Sequence, residues 1–458
     1  MRTFLKIAAL LLSLAILSVL VWQGYEASWT GFQGYQKTKD EYVPKKMLWD
    51  WLQLLVIPTV LALAAFFLNR IQKETETRQT LNQQQETALQ TYLTQMSELM
   101  LKEKLRESKE DAEVRTIARA RTLSALREMD GKRKGVIVRF LIEAKLITLL
   151  PSEDIKDRGF SIIDLDGADL IGADLTHFDF NGTVFYGTNL LGADFRYSQL
   201  KGAEYFESVK VDEKWDLVWK ISNSISPFRE NDALCGKDLR EANLCGGSLK
   251  GLDLSGTDLR GADLSLVNLA GTRVNRFTRM DKKWWFVWKV MNEEIPAKHL
   301  KGADLRSAFL RYHYFADANL QNADLSNADL SSSQFPSADF TQAKLHFTVM
   351  EDSDLKGATF DMASTIGIKA KGAQLPASKW RNIWLWDCDF RGANLQEADF
   401  NGSTLEDLNL SGADLSGAKL PDVKDVKNLT WDSDTKWPNG FVPPKSVPTH
   451  LDRLFESD

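Results

Sequence analysis

The chain has 458 residues, of which 43% are apolar and 26% charged, enough for two or three domains. Three cysteines, an odd number without metal-ligand spacing, argue against a disulfide framework and against a zinc site. Residues 1–150 hold 22 Lys and Arg against 16 Asp and Glu, and the remainder 35 against 47, so a basic half suited to an anionic membrane surface precedes an acidic half suited to solubility, a basic partner or nucleic-acid mimicry.

Positions 4–22 are almost unbroken apolar residues behind Arg2 and Lys6. They read as a signal peptide or a first membrane helix, and the absence of a small-x-small pattern after Trp22 favours the uncleaved helix. A second apolar run, 47–68, is interrupted by Asp50, Gln53 and Pro58, with Trp49 and Trp51 placed for an interfacial belt. Residues 1–70 are therefore expected to anchor the chain in a bacterial inner or thylakoid-type membrane through two transmembrane helices. The flanking lysines and arginines leave the orientation open; the long charged segment beyond them, and cysteines of reduced character, point to a cytoplasmic location for the rest.

Residues 71–150 read as a helical linker and N-terminal cap. Leu89, Leu93, Met96 and Met100, at 4, 3, 4 spacing, make a short seam for packing within the chain or for self-association through residues 71–128. Asp130 and Gly131 mark a break before the apolar run Val136–Leu150, expected to cover the open end of the repeat array that begins near Ser161.

From Ser161 to Leu420 one pattern recurs about forty times: Leu or Phe every fifth residue, a small residue two before it, and Asp or Asn immediately before. It is nearly pure from Phe390 onward, with centres Leu395, Phe400, Leu405, Leu410 and Leu415 and Ala393, Ala398, Ser403 and Ala413 among the residues two before. A helix advances about 100° per residue, so five steps carry each centre about 140° further round and no apolar face forms. In a flat strand an odd spacing puts successive centres on opposite faces. What remains is a chain that turns a corner once per pentad, with centres and small residues converging on one axis where two large side chains per side cannot fit. Coils then stack as a solenoid and satisfy each other's backbone groups. Asp or Asn suits the corner, where its side chain bonds nearby backbone.

In these residues the chain resembles the pentapeptide-repeat family, whose motif is A, D or N, L, x, x. The resemblance implies a mainly β protein, a right-handed quadrilateral β-helix with four pentads per coil, over residues 151–425. Forty pentads correspond to about ten coils and a rod about 48 Å long at a strand spacing of roughly 4.8 Å. The stretch from Leu48 into Ala144 also resembles the membrane-plus-helix leader of many cyanobacterial members of the family.

The rhythm stops twice, giving inserts at 206–233 and 275–299. Asp212, Lys214, Trp215, Val218, Trp219, Lys220 and Asn223 match Asp281, Lys283, Trp284, Val287, Trp288, Lys289 and Asn292 one for one, so the inserts are copies of one amphipathic helical module. Two readings are open: the tryptophans pack back onto the β-helix, or Trp215, Trp219, Trp284 and Trp288 form a docking patch for a partner. A third aromatic cluster, Trp380, Trp384 and Trp386, keeps the pentad phase and is expected to widen the core or cross a corner. Residues 426–458 form a C-terminal cap and tail. There Trp431, Asp432, Thr435, Lys436, Trp437, Pro438, Gly440 and Phe441 resemble the closing motif of the family, and the tail from Pro443 is expected to be weakly ordered.

No nucleotide loop, nucleophile elbow, H-E-x-x-H or paired C-x-x-C occurs. Carboxylates one coil apart, such as Asp238 with Asp258, Asp174 with Asp194 and Asp304 with Asp324, follow from the repeat, and a convex rod supplies no cleft to perturb them for acid–base work. No enzyme activity, cofactor or metal is expected. The reading is a non-enzymatic, membrane-anchored scaffold whose rigid rod binds an unidentified protein partner. The alternative implied by the resemblance is a DNA-mimic rod acting on a topoisomerase or other DNA-binding protein; binding of nucleic acid itself is not expected.

Overall fold

The computed structural model describes Gln23 and residues 35–38, 41–43, 48–109, 111–148, 161–204, 208–223, 234–292 and 295–448, with side chains described for Gln23 and from Thr59 onward. It divides into two compact units, Met1–Thr87 and Ala88–Asp458.

In the first unit β1 (Tyr35–Thr38) pairs antiparallel with β2 (Glu41–Val43), Tyr35 opposite Val43 and Thr38 opposite Glu41. Tyr, Thr and Val, all strand formers, pair here between the two apolar runs. Helix α1 (Leu48–Leu101) starts inside the second apolar run and continues into polar sequence, where Arg70 pairs with Glu74 at 3.1 Å and Gln72 donates to Glu76 at 2.8 Å. Among the described residues no helix is long and apolar enough to cross a membrane. The predicted span 4–22 lies outside them, and of the predicted span 47–68 the described side chains begin at Thr59, with Arg70 and Lys73 close behind.

The second unit opens with the end of α1 packed against α2 (Glu113–Glu128) and α3 (Gly131–Glu143). Leu89, Tyr92, Met96 and Leu99 are buried, and Leu93 and Met100 half-buried. The Tyr92 hydroxyl lies 2.9 Å from Thr122 Oγ1 on α2, and its ring meets Phe140 of α3 edge-on at 6.4 Å. Of the two readings of the seam, packing within the chain is the one these contacts fulfil. Helix α3 is capped by Asp130, whose Oδ1 accepts from Arg133 N at 3.0 Å. It lies backbone to backbone on the first coil: Asp174 N donates to Gly131 O at 2.8 Å, and a Cβ added to Gly131 or Gly135 would stand 2.0 or 2.1 Å from the carbonyl oxygens of Gly172 and Asp174. Lys134, almost fully buried, reaches Asp169 Oδ1 and Ile171 O, both at 3.2 Å.

From Ser161 the chain winds in square coils. Most centres, and most residues two before them, are buried, with Lys237, Ala303 and His313 half-buried among the latter; the residues flanking a centre mostly face outward. Around Leu305 the pattern is plain: Ala308 N donates back to Leu305 O at 3.1 Å, and Ser307 between them has φ 54°, a type II turn. One coil on, Leu305 N donates to Asp324 O at 2.8 Å and Asp324 N to Ala303 O at 2.9 Å. Asp304, Asp324, Lys344 and Ser364 bridge in parallel at twenty-residue intervals. Most sides contribute a single bridged residue; one side broadens into a parallel sheet of β3 (Thr365–Ile366), β4 (Trp384–Trp386), β5 (Thr404–Glu406) and β6 (Val426–Lys427) in chain order. Within the axis Phe340, Phe360, Trp380 and Phe400 stack along the rod at 4.8, 3.9 and 6.2 Å between ring centroids.

The C-terminal segment closes the last coil. Trp431 meets Trp437 edge-on at 6.0 Å, and Trp437 stacks on Phe441 at 5.3 Å. Weak order from Pro443 does not hold as far as Val447: Val447 N donates to Leu429 O at 3.0 Å and its carbonyl accepts from Thr430 Oγ1 at 2.7 Å, because the outermost strand needs a partner for its backbone groups. Residues 449–458 lie outside the described residues.

Candidate interaction surfaces

The two modules, α4 (Glu213–Ser222) and α5 (Lys282–Met291), repeat each other contact by contact. Asp212 and Asp281 accept from Gly192 N and Gly261 N one coil earlier, at 2.9 and 3.3 Å. At the other end Asn223 and Asn292 accept from Gly202 N and Gly271 N at 2.7 and 2.8 Å, and donate to Leu200 O and Leu269 O. Trp215, Trp284 and Trp288 are buried and Trp219 is half-buried. Trp219 Nε1 donates to Ala203 O at 2.7 Å, Trp288 Nε1 to Thr272 Oγ1 at 2.8 Å, and Trp215 packs on the core ring of Phe195 at 5.7 Å. These indoles fasten the modules to the rod; the exposed helix residues are Glu213, Lys282 and Lys289, with Leu217, Trp285 and Phe286 half-buried beside them. Lys214 and Lys283 lie over Trp215 and Trp284 at 4.6 and 4.2 Å, half-buried, and desolvation lowers both ammonium groups from the usual lysine range. The ladder continues past each module on one side, through Tyr197 N to Glu241 O at 2.9 Å and Leu266 N to Ser307 O at 2.7 Å.

On the side that carries Leu239 and Leu259 three rungs of opposite charge succeed one another. Arg196 forks onto Asp194, Arg240 onto Asp238 and Arg260 onto Asp258, with closest contacts of 2.7, 2.7 and 2.6 Å, and Arg196 also reaches Glu241 at 3.0 Å. The Arg240 hydrogen bonds hold the Asp238 carboxyl well below the usual carboxylate range, and Arg260 lowers Asp258 in the same way. Each aspartate also accepts from the backbone N–H two residues on, the corner role expected for it. This face is close to neutral in spite of the acid excess beyond residue 150.

A different surface surrounds β4. Buried Leu385 sends Trp384 and Trp386 outward, with rings 6.1 Å apart and 28° from parallel. Trp384 is 53% exposed. Their indole N–H groups donate to Glu406 Oε2 and Asp407 Oδ2 one coil on, at 3.1 and 3.0 Å. One coil back, Ile366 pairs with Trp386. At the neighbouring corner Phe347, also 53% exposed, has φ 57°, and a Cβ on Gly367 would meet its ring at 2.6 Å. A bulky residue in that backbone region is uncommon, since the turn favours Gly, Asn or Asp. Beside the corner runs a groove of about 550 Å³ lined by Phe347, Glu351, Lys369, Asp387, Cys388 and Asp407 among others. Cys388 is buried, and desolvation pushes its thiol up to about 12. Sequence reasoning grouped Trp380 with Trp384 and Trp386; the structure puts Trp380 in the core and the other two outside. Phase is the signal that separates them, because Trp380 stands at a pentad centre and the others on either side of one.

The remaining motif residues have local roles. The His313 ring lies between Arg311 O at 2.7 Å and Met291 O at 3.1 Å, joining a corner to the end of α5. Cys235 is exposed, Cys245 half-buried, and both are free thiols, as is Cys388. Among the described residues no cluster of His, Cys, Asp or Glu is arranged to hold a metal ion.

Solved structures similar to this chain are pentapeptide-repeat proteins. HetL of the cyanobacterium Nostoc sp. strain PCC 7120, involved in heterocyst differentiation regulation, is 20% identical over 67% of this chain and 99% of its own, with TM-score 0.25. Rfr23 of the cyanobacterium Cyanothece 51142 is 24% identical over 30% of this chain and 88% of its own, TM-score 0.15. Full-length QnrB1, a plasmid-mediated fluoroquinolone resistance protein, is 17% identical over 44% of this chain and 92% of its own, TM-score 0.16. No curated protein matches the sequence. The family profile of pentapeptide repeats matches in eight copies, at residues 163–203, 238–276, 299–335 and 385–423. Those copies fall on the square coils described above, so the matched segments of the rod are pentapeptide repeats, the repeat that builds a right-handed β-helix.

Proposed function

We propose that this protein is a non-enzymatic scaffold, tethered to a membrane by its N-terminal apolar segments and offering the β-helix to a protein partner. The observation that carries the tether is the belt on α1: Val60, Leu61, Leu63, Phe66, Phe67, Leu68 and Ile71 are each more than half exposed and, at 100° per residue, surround the helix except for an arc of about 140° taken by the exposed Ala62 and Ala65. A helix apolar all round belongs in lipid or in a protein interior. The rod's inward residues are consumed by its own core, whereas outward residues change from coil to coil, the arrangement by which solenoids recognise proteins. The membrane is a bacterial inner or thylakoid-type one, with the rod on the cytoplasmic side. Fractionation of the native host tests the reading: the protein is expected in membranes after alkaline washing and to crosslink there to a specific partner, and recovery in the wash with no partner overturns it.

The acid excess of the second part of the chain, 35 Lys and Arg against 47 Asp and Glu, favours DNA mimicry as a second reading. The forked Asp–Arg rungs weaken it by neutralising one face. A supercoiling assay decides; protein at saturation that neither inhibits nor protects a topoisomerase removes this reading.

A further inference from the structure

We propose that Lys283 is a site of covalent modification, at which the ε-amine takes the acyl group of a small acyl phosphate and becomes an amide. The inference goes beyond the scaffold reading and stands independently of it.

The two modules supply the comparison. In α4, Lys214 lies over Trp215 and donates to Arg240 O at 2.8 Å. Lys283 has the matching place in α5, 4.2 Å over the Trp284 ring and half-buried, yet among the described residues its amine has neither a hydrogen-bond acceptor nor an ion pair. Arg306, which precedes Ser307 on the ladder as Arg240 precedes Glu241, is forked onto Asp304 at 2.8 Å, so that carboxylate is already engaged. The first turns differ as well. That of α4 holds Glu213 and Asp216; that of α5 holds no acid, and Lys282 adds a second cation where the positive end of the helix dipole already disfavours one. Desolvation holds the Lys283 ammonium below the usual lysine range, and Arg306 adds to this, against the pull of Asp304, Asp263 and Asp324. An amine short of water and of an acceptor is neutral more of the time, and the neutral amine is the nucleophile. Its lone pair forms the bond to the acyl carbon. The bond from that carbon to the phosphate oxygen breaks, its electrons leave with the phosphate, and the amine's surplus proton passes to water. An acyl phosphate suits the place because its negative phosphate is drawn to Lys282, Lys283 and Arg306. The product leaves a neutral amide on the ring in place of a cation.

The test treats the full chain in detergent with acetyl phosphate to low conversion, then digests it and compares its lysines by mass spectrometry. At pH 8 Lys283 is expected to gain acetyl about fivefold faster than Lys214 and the exposed Lys282, a lead that shrinks as pH rises toward about 10.4 and the other lysines lose their protons. In urea-unfolded protein the three should react alike. Arg306→Gln frees Asp304 to pair with the amine and should slow Lys283 toward the rate of Lys282. The Arg306 side chain is more than half exposed, so this change leaves the core intact and the comparison readable. Equal rates in the folded chain, a lead that survives unfolding, or one that Arg306→Gln leaves intact overturns the inference.

Discussion

Gly131 and Gly135 show what a single methyl group decides. Both sit in α3 with helical backbone, where alanine would stabilise an isolated helix by up to about 1 kcal/mol. In the folded protein the added Cβ meets a carbonyl oxygen of the first coil at 2.0 or 2.1 Å, and backbone cannot step aside as a side chain can. Gly135→Ala is expected to destabilise the protein by about 1–3 kcal/mol in denaturant unfolding. Gly251 is the converse: it turns a corner at φ 74° with nothing within 4 Å of an added Cβ. Asn already fills such corners at Asn322 and Asn327, so Gly251→Asn should be nearly neutral where Gly135→Asn is not. The cysteines separate in the same way by surroundings. Cys235 is exposed, while burial pushes the Cys388 thiol up to about 12, so maleimide near neutral pH should label Cys235 rapidly and Cys388 only on unfolding. Equal labelling rates would show that the wall around Cys388 opens. At this scale the sequence was legible where residues recur, as with the seven matched positions of the modules. It was silent on Phe347, because a corner normally taken by small or polar residues gives no hint of an aromatic ring laid over the glycine of the next coil.

The period of five was enough to exclude helix and flat strand, and the coils follow from it. It also fixes which element a tryptophan serves. Trp380, at a centre, is fully buried between the rings of Phe360 and Phe400, and Trp380→Ala should cost about 3–5 kcal/mol, seen as a lower denaturation midpoint. A loss of less than about 1 kcal/mol would mean that the stack collapses to fill the space. The Asp–Arg rungs govern the acid limb instead. Asp238 and Asp258 have carboxyl groups lowered in the folded state by Arg240 and Arg260, so their stabilisation is present above the unfolded value of about 3.9 and is lost as pH falls through the lower folded values. Thermal midpoints are expected to fall as pH drops below about 4, with a shallower fall in a variant carrying Arg240→Gln and Arg260→Gln. The arginines are about half exposed and screened by solvent, so their removal should lower stability at neutral pH only modestly, by as much as the acid limb flattens. An unchanged acid limb would assign it to other carboxylates. Elements outside the repeat were harder to foresee. The β1–β2 hairpin is three or four residues a side, too short for alternation to register, and the pairing of Val447 with Leu429 depends on the rod's need to cover its last edge rather than on any local pattern.

Across the whole molecule, composition separates two materials. Residues 1–87 contain the apolar runs and the exposed belt of α1, whereas residues from Ala88 onward have a continuous core from Leu89 through Leu429 and form a compact unit of their own. A fragment beginning at Ala88 retains the buried residues Leu89, Tyr92, Met96 and Leu99 that hold the helical cap, and with them the covering of the first coil. It should therefore be soluble without detergent and unfold cooperatively, while the full chain should float with liposomes in a density gradient. Because the belt is apolar, high salt should leave that flotation intact; release by salt would instead identify the basic charge of residues 1–150 as the attachment. If the full chain stays at the bottom of the gradient beside a properly folded fragment, the tether is wrong and the belt on α1 must be covered by protein. The rod and its surfaces, which rest on the five-residue period and the coil-to-coil hydrogen bonds, are untouched by that outcome.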